Sequence, residues 1–174
     1  MVRVKQSTQT KELIIARILD APRELVWKAW TEPERMKRWW GPKAFTAPGV
    51  EIDLLVGGKS FSRMRSPEGK DICGIGIYKE IIKPRRLVVT DSFADEKGNV
   101  VPASYYGMSR DWPMELLITV SFEEWDGKTK LKLKHGNVAS ISAEDFEGMK
   151  QGWSESFDKL AEYLEKDHKT LKFN

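Results

Sequence analysis

The sequence predicts a single α+β domain in which an antiparallel sheet packs against one long C-terminal helix. The dipeptides Gly57-Gly58 and Asp126-Gly127 each separate two strand-like runs, which indicates antiparallel hairpins. After the second hairpin, large apolar residues recur every three or four positions, as they do on one face of a helix. This helical stripe consists of Met149, Trp153, Phe157, Leu160 and Leu164. A sheet and a helix with one apolar side each are expected to bury those sides against each other.

The first part of the chain predicts one strand and two short helices. Residues 12–19 are rich in isoleucine, as strands are, and Pro22 fits the first turn of the helix that follows. Thr31 and Glu34 have the spacing of a capping box, which predicts a second helix start. Gly41-Pro42 ends this second helix after Trp39 and Trp40.

Six strands and the long helix complete the predicted order. A long loop over residues 94–113 interrupts the strands, and loops of this length are often lids or binding segments. Ser142 and Asp145 are spaced to cap the final helix. The predicted strands are residues 50–56, 59–65, 71–82, 87–93, 114–125 and 128–135.

The chain contains no internal repeat and no linker-like segment, which favours one domain. We assign residues 1–10 to a flexible N-terminal lead-in, residues 11–167 to the domain and residues 168–174 to a C-terminal tail.

The composition is that of a globular protein with little net charge. The 29 basic residues are interspersed with 26 acidic ones and leave a net charge of +3, so no basic stripe points to nucleic acid. No stretch has the length and apolarity of a signal peptide or a membrane span. Cys73 is the one cysteine, which excludes an internal disulfide and fits a reducing compartment. We therefore expect a cytoplasmic protein without membrane or nucleic-acid partners.

The turn positions predict which side chains face the core. With Asp126-Gly127 as a two-residue turn, the apolar residues of both flanking strands fall on one face, together with His135. The same count around Gly57-Gly58 places Ile52, Leu54, Phe61 and Arg63 on the inner face.

Several motifs together resemble one known family. They include residues 20–31 (DAPRELVWKAWT), residues 39–42 (WWGP), Trp112-Pro113 and residues 148–153 (GMKQGW), and the similarity covers nearly all of residues 11–166. The chain resembles the family related to the activator of the ninety-kilodalton heat-shock protein's ATPase, within the START-like superfamily. This resemblance implies a helix-grip fold, in which a curved antiparallel sheet grips the C-terminal helix and a cavity lies between them. It does not imply one particular activity.

The expected cavity contains two polar side chains with alternative interpretations. Arg63 would anchor a ligand carboxylate or a similar group, or else form a salt bridge to an internal acid or extend to the sheet edge. His135 would contact a ligand or transfer a proton, or else serve only the structure. Trp40 is the expected cavity wall, and Tyr105-Tyr106 in the long loop would be a lid or a plug. The full set of expected cavity residues is Trp40, Leu54, Phe61, Arg63, Ile118, Val120, Phe122, His135, Met149, Trp153 and Phe157.

Three functions remain open at the level of sequence. The first is binding of an apolar or amphipathic small molecule, with a polar or anionic end, in the cavity. The second is a protein-interaction module of co-chaperone type with a heat-shock ATPase as its partner, and the third is an enzyme of cyclase or aromatase type. No nucleophile–base pair, phosphate loop or metal-ligand spacing occurs, so we assign no catalytic residue, no cofactor and no metal.

Overall fold

The computed structural model describes residues 12–172 and contains one antiparallel sheet, two short helices and one long helix. The helices are α1 (Arg23–Thr31), α2 (Pro33–Met36) and α3 (Ala143–Lys172), with a 3₁₀ turn at Ala103–Tyr106. The strands are β1 (Leu13–Leu19), β2 (Thr46–Ile52), β3 (Lys59–Arg65), β4 (Asp71–Ile82), β5 (Arg86–Ala94), β6 (Leu116–Trp125) and β7 (Lys128–Gly136).

The seven strands form a half-barrel around α3, with the order β1-β7-β6-β5-β4-β3-β2. Every neighbouring pair is antiparallel, and β1 pairs only with β7, the last strand of the chain. Phe157, Leu160 and Leu164 on α3 are buried in the same core as the inner residues of β6 and β7. This arrangement confirms the predicted helix-grip fold.

The β6–β7 hairpin has the predicted register. Trp125 pairs with Lys128, Phe122 with Leu131, and Ile118 with His135. The apolar partners are buried, as is His135, because they all lie on the concave face. A two-residue Asp-Gly turn with both residues at positive φ fixes this register, so the prediction from the turn was sound.

The predicted register of the β2–β3 hairpin is wrong. Ile52 pairs with Ser60 instead of Arg63, because the connection is a wider loop over residues 53–58 and not a two-residue turn at Gly57-Gly58. The observed pairing differs from the predicted pairing by an odd number of residues. Each side chain of β3 therefore lies on the face opposite to the predicted one. Ser60 and Ser62 therefore face inward, while Phe61 and Arg63 face outward.

The predicted capping box at Thr31 is also wrong, whereas the cap of α3 is confirmed. Thr31 is the last residue of α1, and its hydroxyl donates to the carbonyl of Trp27 at 2.8 Å. The hydroxyl is thus occupied within α1 and does not cap α2, which begins at Pro33 without a side-chain cap. At α3, the Ser142 hydroxyl accepts a hydrogen bond from the Asp145 amide at 3.1 Å.

The helix α3 continues to Lys172, through part of the segment that the sequence assigned to a tail. The expected lead-in at residues 1–10 lies outside the described residues. None of the helices within residues 12–172 combines the length and apolarity required to cross a bilayer.

We predict that Phe157→Ala lowers the free energy of unfolding by about 3–5 kcal/mol, because it removes a fully buried aromatic side chain and leaves a cavity. Urea denaturation measures this loss. The exposed neighbour Gln151 on α3 serves as control, and Gln151→Ala is expected to change stability by less than about 0.5 kcal/mol. Equal effects of the two substitutions would contradict the assigned orientation of α3.

Candidate ligand-binding site

A cleft of about 180 Å³ lies between the concave face of the sheet and α3. A smaller lobe of about 50 Å³ shares four of its lining residues, namely Trp40, Ser62, Gly74 and Asp91. The lining of the larger lobe is mainly apolar and comes from the 40–42 loop, strands β3, β4, β5 and β7, residue Trp112 and helix α3. The two lobes together form the candidate ligand-binding cleft.

The cleft exists because β3 and β4 carry small residues on the concave face of the sheet. Ser62 pairs with Gly74, and Ser60 pairs with Gly76, so four small residues adjoin on the concave face. A Cβ atom added at Gly76 would lie 2.2 Å from the Thr90 carbonyl oxygen, which means that no other residue fits there without backbone movement. The large residues of α3 consequently meet no side chains of matching volume at this position.

Tryptophan side chains form the wall opposite the small residues. The rings of Trp40 and Trp153 meet edge to face with their centroids 5.4 Å apart, and Trp30 contacts both. Trp153 comes from α3, whereas Trp40 stands at the start of an irregular loop. The wall thus joins two segments that are distant in sequence.

Lys159 fixes the loop that carries Trp40. Its ammonium group donates to the carbonyls of Gly41, Pro42 and Phe45 at 3.2, 3.2 and 2.9 Å. Burial lowers the pKa of Lys159 below its ordinary value, an effect that the charge of Glu155 partly offsets. One side chain of α3 therefore anchors the loop over the cleft.

The long loop after β5 contributes one residue to the lining of the cleft. The Tyr106 hydroxyl donates to the Ala94 carbonyl and accepts from the Cys73 amide, which fixes Tyr106 against the sheet. Trp112 lines the cleft and contacts the ring of Phe93 at 5.7 Å. Tyr105 is exposed. The cleft-lining aromatic residue of this loop is thus Trp112, and not the tyrosine pair that the sequence suggested.

A carboxylate–histidine pair lies where the two lobes meet. His135 Nε2 is 3.0 Å from Asp91 Oδ2, and the histidine side chain is buried. Sequence reasoning missed Asp91, although a signal was present. Leu87, Val89, Asp91 and Phe93 alternate along β5, so strand periodicity places Asp91 on the same face as its apolar neighbours.

The structure brings together eight of the eleven expected residues on the concave side. Trp40, His135, Met149 and Trp153 line the larger lobe. Ile118 and Val120 line the smaller lobe. Phe122 and Phe157 are buried in the adjoining core and line neither lobe.

The other three expected residues lie elsewhere because of the β2–β3 register. Arg63 is on the convex face, where its Nη1 atom is 3.2 Å from Asp71 Oδ2, so its expected inward position is wrong. Phe61 lines a separate groove on the convex face. Leu54 belongs to the loop between β2 and β3 and is exposed. Arg63 does form a salt bridge, but its partner Asp71 lies on the convex face and is not an internal acid.

Other ionisable groups near the cleft have limited reactivity. Burial raises the pKa of the Cys73 thiol, which disfavours the nucleophilic thiolate. Burial likewise raises the pKa of the Tyr78 phenol. Among residues 12–172, no three or more His, Cys, Asp or Glu side chains are grouped so that they could hold a metal ion.

Comparison with known proteins gives a consistent result. The profile of the family described as "Activator of Hsp90 ATPase homolog 1-like protein" matches residues 20–165. No curated protein matches the chain. The structure resembles a solution NMR structure of a protein from Arthrobacter aurescens, with 26% identity, a TM-score of 0.76 and coverage of 89% of this chain and 86% of the other.

Two further structures have the same fold. A protein from Mycobacterium smegmatis is 25% identical, with a TM-score of 0.69 and coverage of 89% of this chain and 88% of the other. The AHSA1 protein from Silicibacter pomeroyi is 22% identical, with a TM-score of 0.71 and coverage of 91% of this chain and all (100%) of the other. The similarity thus extends over most of each chain.

We predict opposite outcomes for alanine at the two floor glycines. Gly76→Ala is expected to destabilise the protein by about 1–3 kcal/mol, because its Cβ would collide with the backbone of Thr90. Gly74→Ala is expected to be neutral or stabilising by about 0.5 kcal/mol, since its Cβ would meet no atom closer than 3.5 Å and alanine is favoured over glycine in strands. Urea denaturation of both variants checks this difference, and a loss at Gly74 as large as that at Gly76 would refute it.

Proposed function

The chain belongs to the Activator of Hsp90 ATPase homolog 1-like family, and we propose that within this family it acts as a binding protein for a compact, apolar small molecule. The observation that carries this proposal is the cleft of about 180 Å³ between the sheet and α3. Its apolar lining favours an apolar ligand body, because binding removes that surface from water.

The size of the cleft restricts the ligand. An apolar cavity of about 150 Å³ is known to admit benzene, and the larger lobe here, with about 180 Å³, exceeds that volume. The smaller lobe adds about 50 Å³. Together they suit one substituted ring better than a long acyl chain. The edge-to-face tryptophans of the wall would contact such a ring favourably.

A second candidate function is contact with a protein partner, as the family description suggests. The specific observation is an exposed apolar tip at the β2–β3 loop, formed by Leu54, Leu55 and Val56 with exposed fractions of 39%, 54% and 64%. Adjacent exposed apolar residues are typical of interaction sites. This tip lies outside the cleft, so the two candidate functions can be tested separately.

We predict that toluene binds in the cleft with saturable chemical-shift changes in two-dimensional NMR spectra. The changes should centre on Gly74, Gly152 and the indole groups of Trp40 and Trp153, which line the cleft. Affinity in the millimolar range or tighter is expected for a ligand with so few atoms. Dodecanoate should produce no saturable change at these positions, because its chain exceeds the available volume.

The substitution Gly74→Val tests whether toluene binds in the cleft. Its two methyl groups would occupy part of the cleft and should weaken toluene binding by about tenfold, which corresponds to the loss of about two methyl contacts. Thr119→Val is a control of similar shape on the opposite face of the sheet, and it should leave the affinity unchanged. Absence of toluene binding to the wild-type protein, or equal affinity in both variants, would contradict ligand binding in this cleft.

The protein-partner candidate has its own measurement. We expect that, if the tip serves a chaperone, the protein stimulates the ATPase rate of Hsp90 and the double variant Leu55→Ser/Val56→Ser abolishes the stimulation. Both residues are exposed, so the double variant should keep its stability. No stimulation by the wild-type protein would eliminate this candidate and would not affect ligand binding.

A further inference from the structure

The cleft contains a single charged side chain, and that charge is negative. Of the described residues that line either lobe, Asp91 alone is an acid and none is a lysine or arginine. Asp91 lines both lobes, so it lies at their junction. Its side chain is 38% exposed and therefore accessible from the cleft. A site that recognises an acid usually carries a positive side chain, whereas the lining of this cleft carries an acidic one.

The histidine partner orients this carboxylate through a hydrogen bond. An ionised carboxylate only accepts hydrogen bonds, so His135 Nε2 is the donor to Asp91 in that state. His135 Nδ1 is buried and has no hydrogen-bond partner among the described residues, so a proton on that nitrogen would lack an acceptor. The geometry therefore fits an Nε2–H group that donates to Asp91 Oδ2.

The second carboxylate oxygen is the available acceptor. Oδ2 is occupied by His135, and the structure records no donor for Oδ1 among residues 12–169. A hydrogen bond to a carboxylate oxygen is assisted by the charge and is stronger than one between neutral groups. A ligand carboxylate at the same position would instead meet a like charge.

We propose that the ligand is a compact aromatic molecule with an O–H or N–H donor, and that it donates this hydrogen bond to Asp91. This inference rests on the proposed ligand-binding function and specifies its ligand class. The aromatic ring contacts Trp40 and Trp153, and the donor reaches the junction of the lobes. His135 is a positioning residue that holds Asp91 in this orientation.

The test compares four probes of nearly equal size by NMR titration of the wild-type protein. They are p-cresol, 4-methylanisole, p-toluate and 4-methylbenzylamine, with toluene as the apolar reference. Because p-cresol donates and 4-methylanisole does not, the cresol is expected to bind about tenfold more tightly, as a hydrogen bond to a charged group implies. The acid p-toluate is expected to bind more weakly than toluene.

Asp91→Asn removes the charge at nearly constant shape. Relative to toluene, it should reduce the preference of p-cresol over 4-methylanisole to about twofold or less and raise the affinity for p-toluate. Asp71→Asn is the matched control, because Asp71 pairs with Arg63 and Arg65 on the convex face. The control variant should keep all wild-type preferences.

The role of His135 has a separate readout. His135→Gln keeps an N–H donor near the position of Nε2 and should retain the cresol preference, whereas His135→Leu should lose it. The ratio of cresol to anisole affinity reports the orientation of Asp91, which a purely structural role of His135 would leave unchanged. Equal ratios in both variants would overturn the positioning role.

The outcomes separate this inference from the proposed function. If toluene binds but p-cresol has no advantage over 4-methylanisole, or if Asp91→Asn keeps that advantage, the donor inference is wrong and ligand binding stands. If 4-methylbenzylamine binds better than p-cresol, Asp91 remains the recognition residue and the donor is cationic. If no probe binds, the proposed function fails as well.

Discussion

The structure depends on an incomplete contact between the long helix and the sheet. At one end, Phe157, Leu160 and Leu164 are almost completely buried in the same apolar core as the inner residues of β1, β6 and β7. Toward the N-terminal end of α3, the helix faces the small residues of β3 and β4 instead. One helix thus holds the domain together and also forms the wall of its cleft.

The two parts of α3 thus have different roles, because one packs in the core and the other lines the cleft. Trp153 contacts both the core residue Phe157 and the cleft residue Trp40, so the two regions meet at one side chain. Lys159, in the next turn of the helix, attaches the 40–45 loop to α3 through backbone carbonyls. The loop that carries Trp40 is consequently tied to α3 before any ligand arrives, and a site that is already organised loses less entropy when a ligand binds.

The sequence predicted the fold, and six of the eleven expected residues line the cleft. The Asp126-Gly127 turn fixed the β6–β7 register, because a two-residue turn permits one pairing, and this placed His135, Ile118 and Val120 correctly. At Gly57-Gly58, the glycines form part of a longer loop. The same reasoning therefore placed the side chains of β3 on the wrong faces and assigned Arg63 to the interior. The charge expected in the site therefore had the wrong sign. Asp91 could have been found from the alternation along β5, whereas the volume left by Gly74 and Gly76 depends on how strands pack and cannot be obtained from periodicity.

The pairing of β1 with β7 has a consequence for how the chain acquires its structure. Leu13 pairs with His135 and Leu19 with Thr129, so the first strand has no neighbour in the sheet until more than a hundred residues have followed it. Contacts between such distant segments slow folding, because a large loop must close before they form. On the ribosome, β1 therefore emerges long before its partner and must remain unpaired through most of translation. The native sheet can therefore be completed only after β7 has been synthesised.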